Sequence, residues 1–213
     1  MKLYYSPGSC AFASHIALLE AGVEFEAVRI DFGKAEQRSA EYLSINPKGR
    51  VPALVTERGV LSETPAILAF IAQSFPDAAL APFDDPFELA RVQSFNSYLC
   101  ATVHVAHAHK VRGSRWADDP RAHEAMRAKV PETMTECFDL IEREMFEGPW
   151  VRGERYSICD PYLLTLGEWL AGDGVDRDRF PKVAGHAARM YERPAVRTAY
   201  RLHYGAVPGA QGR

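Results

Sequence analysis

The sequence predicts an α/β domain followed by an all-helical domain, and three observations lead to that prediction. Across residues 1–75, short runs of alternating apolar residues are interspersed with stretches of helical periodicity. The segment 76–86, with Pro82 and its aspartates, has the composition of a linker. Beyond it the sequence contains apolar stripes at helical spacing and no convincing strand. A chain of 213 residues is long enough for two small domains.

The N-terminal domain is assigned to residues 1–76 from local signals. Alternation predicts its strands, a stripe of Phe12, Ile16 and Leu19 predicts its first helix, and Gly22 stands where helices commonly end. Two apolar runs separated by three turn-forming residues indicate a hairpin. In order, the predicted elements are a strand at 2–5, a helix at 10–20, a strand at 26–30, a hairpin with strands at 52–56 and 60–61, and a helix at 63–75.

The C-terminal domain is assigned to residues 87–204, after a linker at 77–86 and before a flexible tail at 205–213. Apolar stripes predict its helices, and Ser157 and Asp160 have the spacing of a variant capping box at the start of one helix. We expect these two residues to serve folding and not catalysis. The predicted helices cover 89–103, 126–141, 161–171, 182–192 and 194–202.

Composition and charge exclude several classes of partner. Lys and Arg total 25 against 28 Asp and Glu, a net charge of -3, and no basic tract stands out, so we expect neither nucleic acid nor a membrane surface as a partner. No apolar run approaches the roughly 20 residues that span a bilayer, and the first residues lack a signal-peptide pattern. Four cysteines without regular spacing are typical of free thiols. We expect a cytoplasmic protein.

Cys10 is the sharpest candidate for chemistry, because it lies where a turn leads into the first predicted helix. Free backbone N–H groups and the positive end of the helix dipole stabilise a thiolate, so this position predicts a lowered thiol pKa. A small buried core residue is the alternative. A dithiol oxidoreductase needs a resolving cysteine three residues later, but that position is Ala13. Redox chemistry at Cys10 therefore requires an external thiol.

Two later segments predict contacts to an amino-acid or peptide ligand. A cis bond between Val51 and Pro52 turns the backbone groups of Val51 toward an extended peptide, whereas a trans proline opening an edge strand is the alternative. Glu63 and Thr64 open the next helix, where a carboxylate, a hydroxyl and free N–H groups can bind an α-ammonium and an α-carboxylate. Plain helix capping is the alternative at that position.

A semi-polar stripe runs along one side of the first C-terminal helix. It contains Ser97, Cys100, His104 and His107, and it predicts the wall of a cleft, with a solvated helix face as the alternative. His104 and His107 share a helix face, but no carboxylate accompanies them and His109 is rotated away from it. We therefore predict no metal site.

Taken together, these segments resemble the glutathione transferases, and most closely the bacterial beta class. The matching stretches cover nearly the whole chain and are Lys2-Leu-Tyr-Tyr-Ser-Pro-Gly-Ser-Cys10, Asn46-Pro-Lys-Gly-Arg-Val-Pro52-Ala-Leu, Glu63-Thr64 with Ala66-Ile67, and Ser157-Ile-Cys-Asp160. The resemblance implies a thioredoxin-like N-terminal domain with the order β-α-β-α-β-β-α, an all-helical C-terminal domain, and a homodimer with one glutathione site per subunit. Glutathione is then a co-substrate, and no further cofactor is implied.

The resemblance also assigns roles to individual residues. Cys10 matches the cysteine that contacts the glutathione sulfur in the beta class, and His104 matches a histidine close to that sulfur. Glu63 and Thr64 match the pair that holds the γ-glutamyl end. The other implied glutathione contacts are Tyr5, Lys34 near the glycyl carboxylate, Val51 as backbone partner of the cysteinyl unit, Pro52, and Ser97 where some relatives have Asn.

The implied activity is conjugation of the glutathione thiol to small hydrophobic electrophiles, in detoxification or catabolism. The site must stabilise the glutathione thiolate through the first-helix dipole, Cys10 and His104. Cys10 is expected to stay protonated during conjugation, because two adjacent thiolates repel each other. Two alternatives are a glutathione-dependent thiol-disulfide or peroxide reductase that uses Cys10 covalently, and a non-catalytic binding protein on the same fold.

Overall fold

The N-terminal third of the chain contains the elements expected of a thioredoxin-like domain. The computed structural model describes residues 1–208. Its first elements are β1 (Lys2–Tyr5), α1 (Ala11–Glu20), β2 (Glu26–Arg29), α2 (Ala40–Ile45), β3 (Ala53–Thr56), β4 (Gly59–Ser62) and α3 (Thr64–Ser74). This order confirms the predicted β-α-β-α-β-β-α arrangement.

Within residues 1–208, four strands form one mixed sheet in the order β2-β1-β3-β4. β1 pairs with β2 in parallel and with β3 in antiparallel orientation, and β3 and β4 form the predicted hairpin. Leu3 of β1 lies opposite Leu54 of β3, and both side chains are fully buried. The apolar alternation that predicted these strands therefore sets which face of the sheet enters the core.

The remainder of the described chain is helical, as predicted. Its helices are α4 (Pro86–Tyr98), α5 (His104–Ala108), α6 (Pro120–Leu140), α7 (Cys159–Gly167), α8 (Pro181–Glu192) and α9 (Pro194–Tyr204). The wider π-helical turns of residues 99–103 join α4 to α5 without a break. No helix within residues 1–208 is both long and apolar enough to cross a membrane.

Two helices begin several residues before their predicted starts, because aspartate caps precede the apolar stripes. The Asp85 carboxylate accepts hydrogen bonds from the backbone N–H groups of Phe87 at 2.9 Å and Glu88 at 3.1 Å, so α4 begins at Pro86 and not at residue 89. Asp119 caps α6 in the same way. The first residues of each helix are exposed and lie outside the buried apolar stripe, which is why periodicity alone missed them.

Helix α1 lies at the centre of the molecule and is buried on every side. All residues from Ala11 to Leu18 are buried, and the helix packs against α3 on one side and against α7 and α9 on the other. Phe12, for example, shares a core cluster with Val196 and Tyr200 of α9. Because both domains hold this helix, the position of Cys10 at its N-terminus is rigidly fixed.

Ser157 and Asp160 form the predicted capping arrangement. The Ser157 hydroxyl accepts from the Cys159 N–H at 3.2 Å, while the Asp160 carboxylate accepts from the Ser157 N–H at 2.7 Å. Asp160 also accepts from the Val151 N–H at 2.9 Å and lies 3.0 Å from His186 Nε2. These contacts start α7 at Cys159, two residues before the predicted helix.

The predicted flexible tail of residues 205–213 is described only as far as residue 208. Gly205, at φ 85°, ends α9, and Val207 is buried against the cluster that contains Phe12. This part of the tail therefore packs on the core, contrary to the expectation that it has little to bury. Residues 209–213 lie outside the described residues.

Candidate active site

A cleft of about 620 Å³ opens between the N-terminal domain and the helical run of α4 and α5. Its lining joins the loop before α1, the segments before β3 and α3, and the helical domain. The lining residues are Pro7, Gly8, Ser9, Cys10, Phe32, Gln37, Arg38, Asn46, Gly49, Arg50, Val51, Pro52, Ser62, Glu63, Thr64, Cys100, His104, Val105, His107, Ala108, Arg112, Arg115, Trp116, Tyr162 and Trp169.

Cys10 lies in this cleft at the N-terminus of α1, and the residue is 8% exposed. Its thiol donates to the carbonyl oxygen of Val51, with Sγ and oxygen 3.5 Å apart. Burial raises the pKa of the thiol, although hydrogen bonding with Thr64 and the charge of Arg112 act in the opposite direction. The predicted lowering of this pKa is therefore wrong, because desolvation outweighs the Thr64 hydrogen bond and the Arg112 charge. A neutral thiol is a hydrogen-bond donor.

The segment that leads into β3 presents its backbone to the cleft. Val51 and Pro52 line the cleft, and the peptide bond between them is cis, as the sequence argument considered. The carbonyl oxygen of Arg50 accepts from the Tyr42 hydroxyl and the Asn46 side-chain amide, both at 2.7 Å. These two hydrogen bonds hold the backbone beside Val51 in place and explain why Asn46 is buried.

Glu63 and Thr64 lie where β4 leads into α3. Glu63 has a left-handed backbone conformation, with φ 72°, which is uncommon for a residue with a side chain and is often found at functional sites. Its carboxylate pairs with Lys48 Nζ at 2.5 Å, and both side chains are about half exposed. Thr64 is buried and begins the helix. Backbone N–H groups at the start of α3 therefore face the cleft beside a carboxylate and a hydroxyl.

Three members of the predicted stripe, namely Cys100, His104 and His107, line the opposite wall. Burial and the nearby positive charges of the helical wall lower the pKa of His104 to about 4, so its ring is neutral at neutral pH. His107 stacks on Trp169 with 4.2 Å between ring centroids, and its Nδ1 lies 2.7 Å from the Asp173 carboxylate. These two contacts hold the His107 side chain in a fixed position in the wall.

Trp169 connects the two walls of the cleft. Its indole N–H donates to the carbonyl oxygen of Gly8 at 2.8 Å, and its ring lies 5.0 Å from that of His104. Gly8 has a φ of 71°, a conformation that glycine adopts without strain. The loop that leads to Cys10 is therefore held by the helical domain.

The cleft is strongly basic, which the sequence argument did not predict. Arg38, Arg50, Arg112 and Arg115 all line it. Burial and the charge of Arg50 lower the pKa of Arg112, and burial together with the other three arginines lowers that of Arg115 to about 10. A scan for basic tracts misses this cluster, because Arg38 and Arg50 are distant in sequence from the short segment after α5 that holds the other two.

Three residues predicted to contact glutathione lie elsewhere. Tyr5 is buried in the core, with its ring 4.8 Å from that of His203, because alternation along β1 turns it away from the cleft. Lys34 is exposed in the loop after β2, and Ser97 is exposed on α4. The structure places none of the three among the cleft-lining residues.

Comparisons with known proteins point to one family. Residues 1–73 match the family described as Glutathione S-transferase, N-terminal domain. Glutathione S-transferase GstA of Escherichia coli O157:H7 is 31% identical over 202 residues, covering 93% of this chain and 96% of that protein.

Solved structures agree with these sequence matches. A glutathione transferase homologue from Sulfitobacter, crystallised with bound glutathione, has a TM-score of 0.92 at 46% identity and covers 94% of this chain and 97% of its own. A bacterial beta class glutathione S-transferase from Sphingomonas chungbukensis has a TM-score of 0.84 at 32% identity, covering 97% and 100%.

Proposed function

The chain belongs to the glutathione S-transferase family and is a glutathione transferase; from this premise we propose where glutathione binds and how its thiol is activated. The observation that carries the proposal is that one cleft brings together Cys10, Val51, Glu63, Thr64 and His104. These are the residues that the resemblance assigned to the sulfur, the cysteinyl backbone and the γ-glutamyl end.

Glutathione lies along the N-terminal wall of the cleft in this proposal. The backbone of Val51 pairs with the cysteinyl unit, and Pro52 completes the surface beside it. The γ-glutamyl end lies at the start of α3, where Glu63 receives its ammonium group and the free N–H groups with Thr64 receive its carboxylate. Since Lys34 is not at the cleft, Arg38 and Arg50 are the basic residues available for the glycyl carboxylate.

Cys10 and His104 then stabilise the glutathione sulfur as it loses its proton. The raised pKa of the Cys10 thiol keeps it protonated. When the cysteinyl unit pairs with the Val51 backbone, the thiol turns from the Val51 carbonyl and donates to the thiolate without adding a second negative charge. His104 is neutral and acts through an N–H hydrogen bond, not through charge. The thiolate attacks an electrophilic carbon, a sulfur–carbon bond forms, and the leaving group departs with its electron pair. The thiol proton is released to solvent.

Several finer assignments belong to this proposal. Cys10 at the sulfur position and the likeness to the Sphingomonas enzyme support the beta class. We also propose a homodimer, a cytoplasmic protein in keeping with four free cysteines, and a division into residues 1–76, a linker at 77–86, and residues 87–204. Detoxification or catabolism of small electrophiles is the proposed role.

The reductase alternative makes a different demand on Cys10. Covalent redox turnover needs a thiolate that attacks a disulfide, but burial raises the pKa of this thiol, and Ala13 occupies the position of a resolving cysteine. These two features favour conjugation.

The deciding experiment measures conjugation of 1-chloro-2,4-dinitrobenzene and reduction of a glutathione mixed disulfide by the native protein and two variants. Cys10→Ser should retain conjugation because its hydroxyl still donates, whereas Cys10→Ala should lose about tenfold in kcat. Cys137→Ser, on α6 outside the cleft lining, is the control. Loss of disulfide reduction in Cys10→Ser, with no conjugation by the native protein, would establish the reductase instead.

The same assay tests His104. His104→Ala should lower kcat for conjugation more than it weakens glutathione binding, because the hydrogen bond strengthens as the thiolate develops. His107→Ala should have a smaller effect, and light scattering should show that each variant is still a dimer. Equal and small effects of both variants would remove His104 from the mechanism.

A further inference from the structure

The cleft carries more positive charge than glutathione can balance. Its lining within residues 1–208 includes four arginines, whereas Glu63 is the one carboxylate among those lining residues, and it already pairs with Lys48. Glutathione in its thiolate form has two carboxylates, one thiolate and one ammonium group, a net charge of −2. Two of the four guanidinium charges are left without a counter-charge in an otherwise acidic chain.

The arginines fall into two pairs on opposite walls. Arg38 and Arg50 belong to the N-terminal domain, beside the backbone that receives glutathione. Arg112 and Arg115 belong to the segment between α5 and α6, on the helical wall of the cleft. Arg112 is half-buried, and it is close enough to Cys10 for its positive charge to favour the ionised form of the Cys10 thiol. Arg115 lies nearer the solvent, and Trp116 beside it also lines the cleft.

Three other half-buried arginines in this chain have carboxylate partners. Arg152 pairs with Glu147 at 2.9 Å, Arg177 with Glu168 at 2.7 Å, and Arg193 with Glu20 at 2.6 Å. Within residues 1–208, by contrast, neither Arg112 nor Arg115 forms an ion pair or a side-chain hydrogen bond. Withdrawing a guanidinium from water without a partner is costly, and this cost falls partly on the half-buried Arg112. The exposed Arg115 adds a second positive charge close to it, and guanidinium groups placed together in this way commonly bind an anion.

We propose, on the basis of the proposed function, that the electrophilic substrate of this transferase carries a carboxylate, which Arg112 and Arg115 bind. A planar guanidinium group can donate two parallel hydrogen bonds to a carboxylate, whereas a Lys ammonium acts as a point charge. The aromatic rings of Trp116, which follows Arg115 in the chain, and of Trp169 also line the cleft. The substrate class is therefore an aromatic or unsaturated acid, with its carboxylate held so that the reactive carbon faces the glutathione sulfur.

Turnover of a matched pair of electrophiles tests the proposal. 4-Chloro-3-nitrobenzoate and 4-chloro-3-nitrobenzamide share the ring and the chloride leaving group, and each enzymatic kcat/KM is divided by the uncatalysed rate with glutathione. The native protein should favour the acid by about tenfold or more, and Arg115→Gln and Arg112→Gln should each remove most of that preference. If Arg112 also affects formation of the glutathione thiolate, that effect is the same for both electrophiles and cancels in the ratio of their kcat/KM values. Arg197→Gln, exposed on α9, is the control.

A binding measurement separates this inference from the proposed function. With the protein saturated by S-methylglutathione, which has no thiol, calorimetry compares 4-nitrobenzoate with 4-nitrobenzamide. Tighter binding of the benzoate that is lost in Arg112→Gln and Arg115→Gln supports the inference, whatever the turnover. Equal binding of the two compounds overturns it, even if conjugation proceeds. Turnover of neither chlorinated compound, with glutathione bound, would contradict the proposed function instead.

Discussion

The two walls of the cleft are built on different principles. The N-terminal wall offers mainly backbone groups and helix termini, as in Val51, the start of α1 and the start of α3, and it is held by hydrogen bonds such as those to the carbonyl oxygen of Arg50. The helical wall offers side chains, namely His104, Arg112 and Arg115, that project from one helical run and the segment after it. In our proposal, one wall recognises the peptide glutathione, and the other recognises the charge and shape of the second substrate.

This difference indicates how one fold can keep one substrate and vary the other. Backbone positions in the N-terminal wall depend on the sheet and on a central helix that is buried on every side, so few substitutions change them without damaging the core. Side chains such as Arg115 on the helical wall are exposed at the cleft, and their replacement leaves the packing intact. Substitutions in the two walls should therefore have different effects on stability and on binding.

The largest expected effect concerns the support of the helical wall. Asp160 is fully buried and holds two backbone N–H groups and His186, and it starts α7, which carries Tyr162 into the cleft. Asp160→Ala leaves all three buried partners without a hydrogen-bond acceptor, so we expect a loss of about 3–5 kcal/mol in the free energy of unfolding. Urea unfolding followed by circular dichroism measures it.

Two further variants make that result interpretable. Asp160→Asn keeps one acceptor and should lose less stability than Asp160→Ala, while Asp178→Ala, at an exposed aspartate, should match the native protein. Native stability in Asp160→Ala together with lost turnover would assign Asp160 to catalysis and refute its role in folding.

An intermediate effect is expected on the N-terminal wall. Glu63→Ala removes the carboxylate that is assigned to the γ-glutamyl ammonium group, and because this side chain is half exposed we expect the low end of a charge-assisted bond, about 1.5 kcal/mol or roughly tenfold in glutathione Kd. Calorimetry with glutathione gives the value. Glu57→Ala in the exposed turn between β3 and β4 is the control. Unchanged affinity would remove Glu63 from the site and the γ-glutamyl end from this part of the cleft.

The same contrast explains what could be predicted from the sequence. The strands and the hairpin follow from local periodicity and from motifs a few residues long, and the structure confirms them. The same kind of local signal pointed to Cys10 and to the Glu63–Thr64 turn, which lie at the cleft. The basic cluster could not be found in this way, because Arg38 and Arg115 meet only after folding. Desolvation is also a property of the folded chain, so the helix terminus at Cys10 predicted the wrong direction for the thiol pKa.

The position of Tyr5 away from the cleft has a related reason. A motif match places a residue in sequence but not on a face of the sheet, and β1 turns Tyr5 toward His15 and His203. Lys34 and Ser97 likewise had plausible positions along the chain, but the loop after β2 and the exposed side of α4 carry them away from the cleft.

The smallest expected effect arises where the two domains meet, at His15 of α1 and His203 of α9. Their ring nitrogens Nδ1 and Nε2 lie 3.2 Å apart, and burial lowers the pKa of His15 to about 4 and that of His203 to about 3. Below an unfolded pKa near 6.5, the unfolded chain binds protons that the folded chain does not, so stability falls as the pH falls and the loss levels off only below the folded pKa. Between pH 6.5 and 5.5, each such histidine should lower the free energy of unfolding by about 1 kcal/mol.

His203→Gln should reduce that pH-dependent loss by about 1 kcal/mol, the share of one histidine, while Arg201→Gln, exposed on the same helix, should leave it unchanged. Urea unfolding at fixed protein concentration across this pH range gives the slopes. Equal slopes for the native protein and His203→Gln would mean that the contact between the domains does not resist protonation, and that the acid sensitivity of the fold lies with His104 in the cleft.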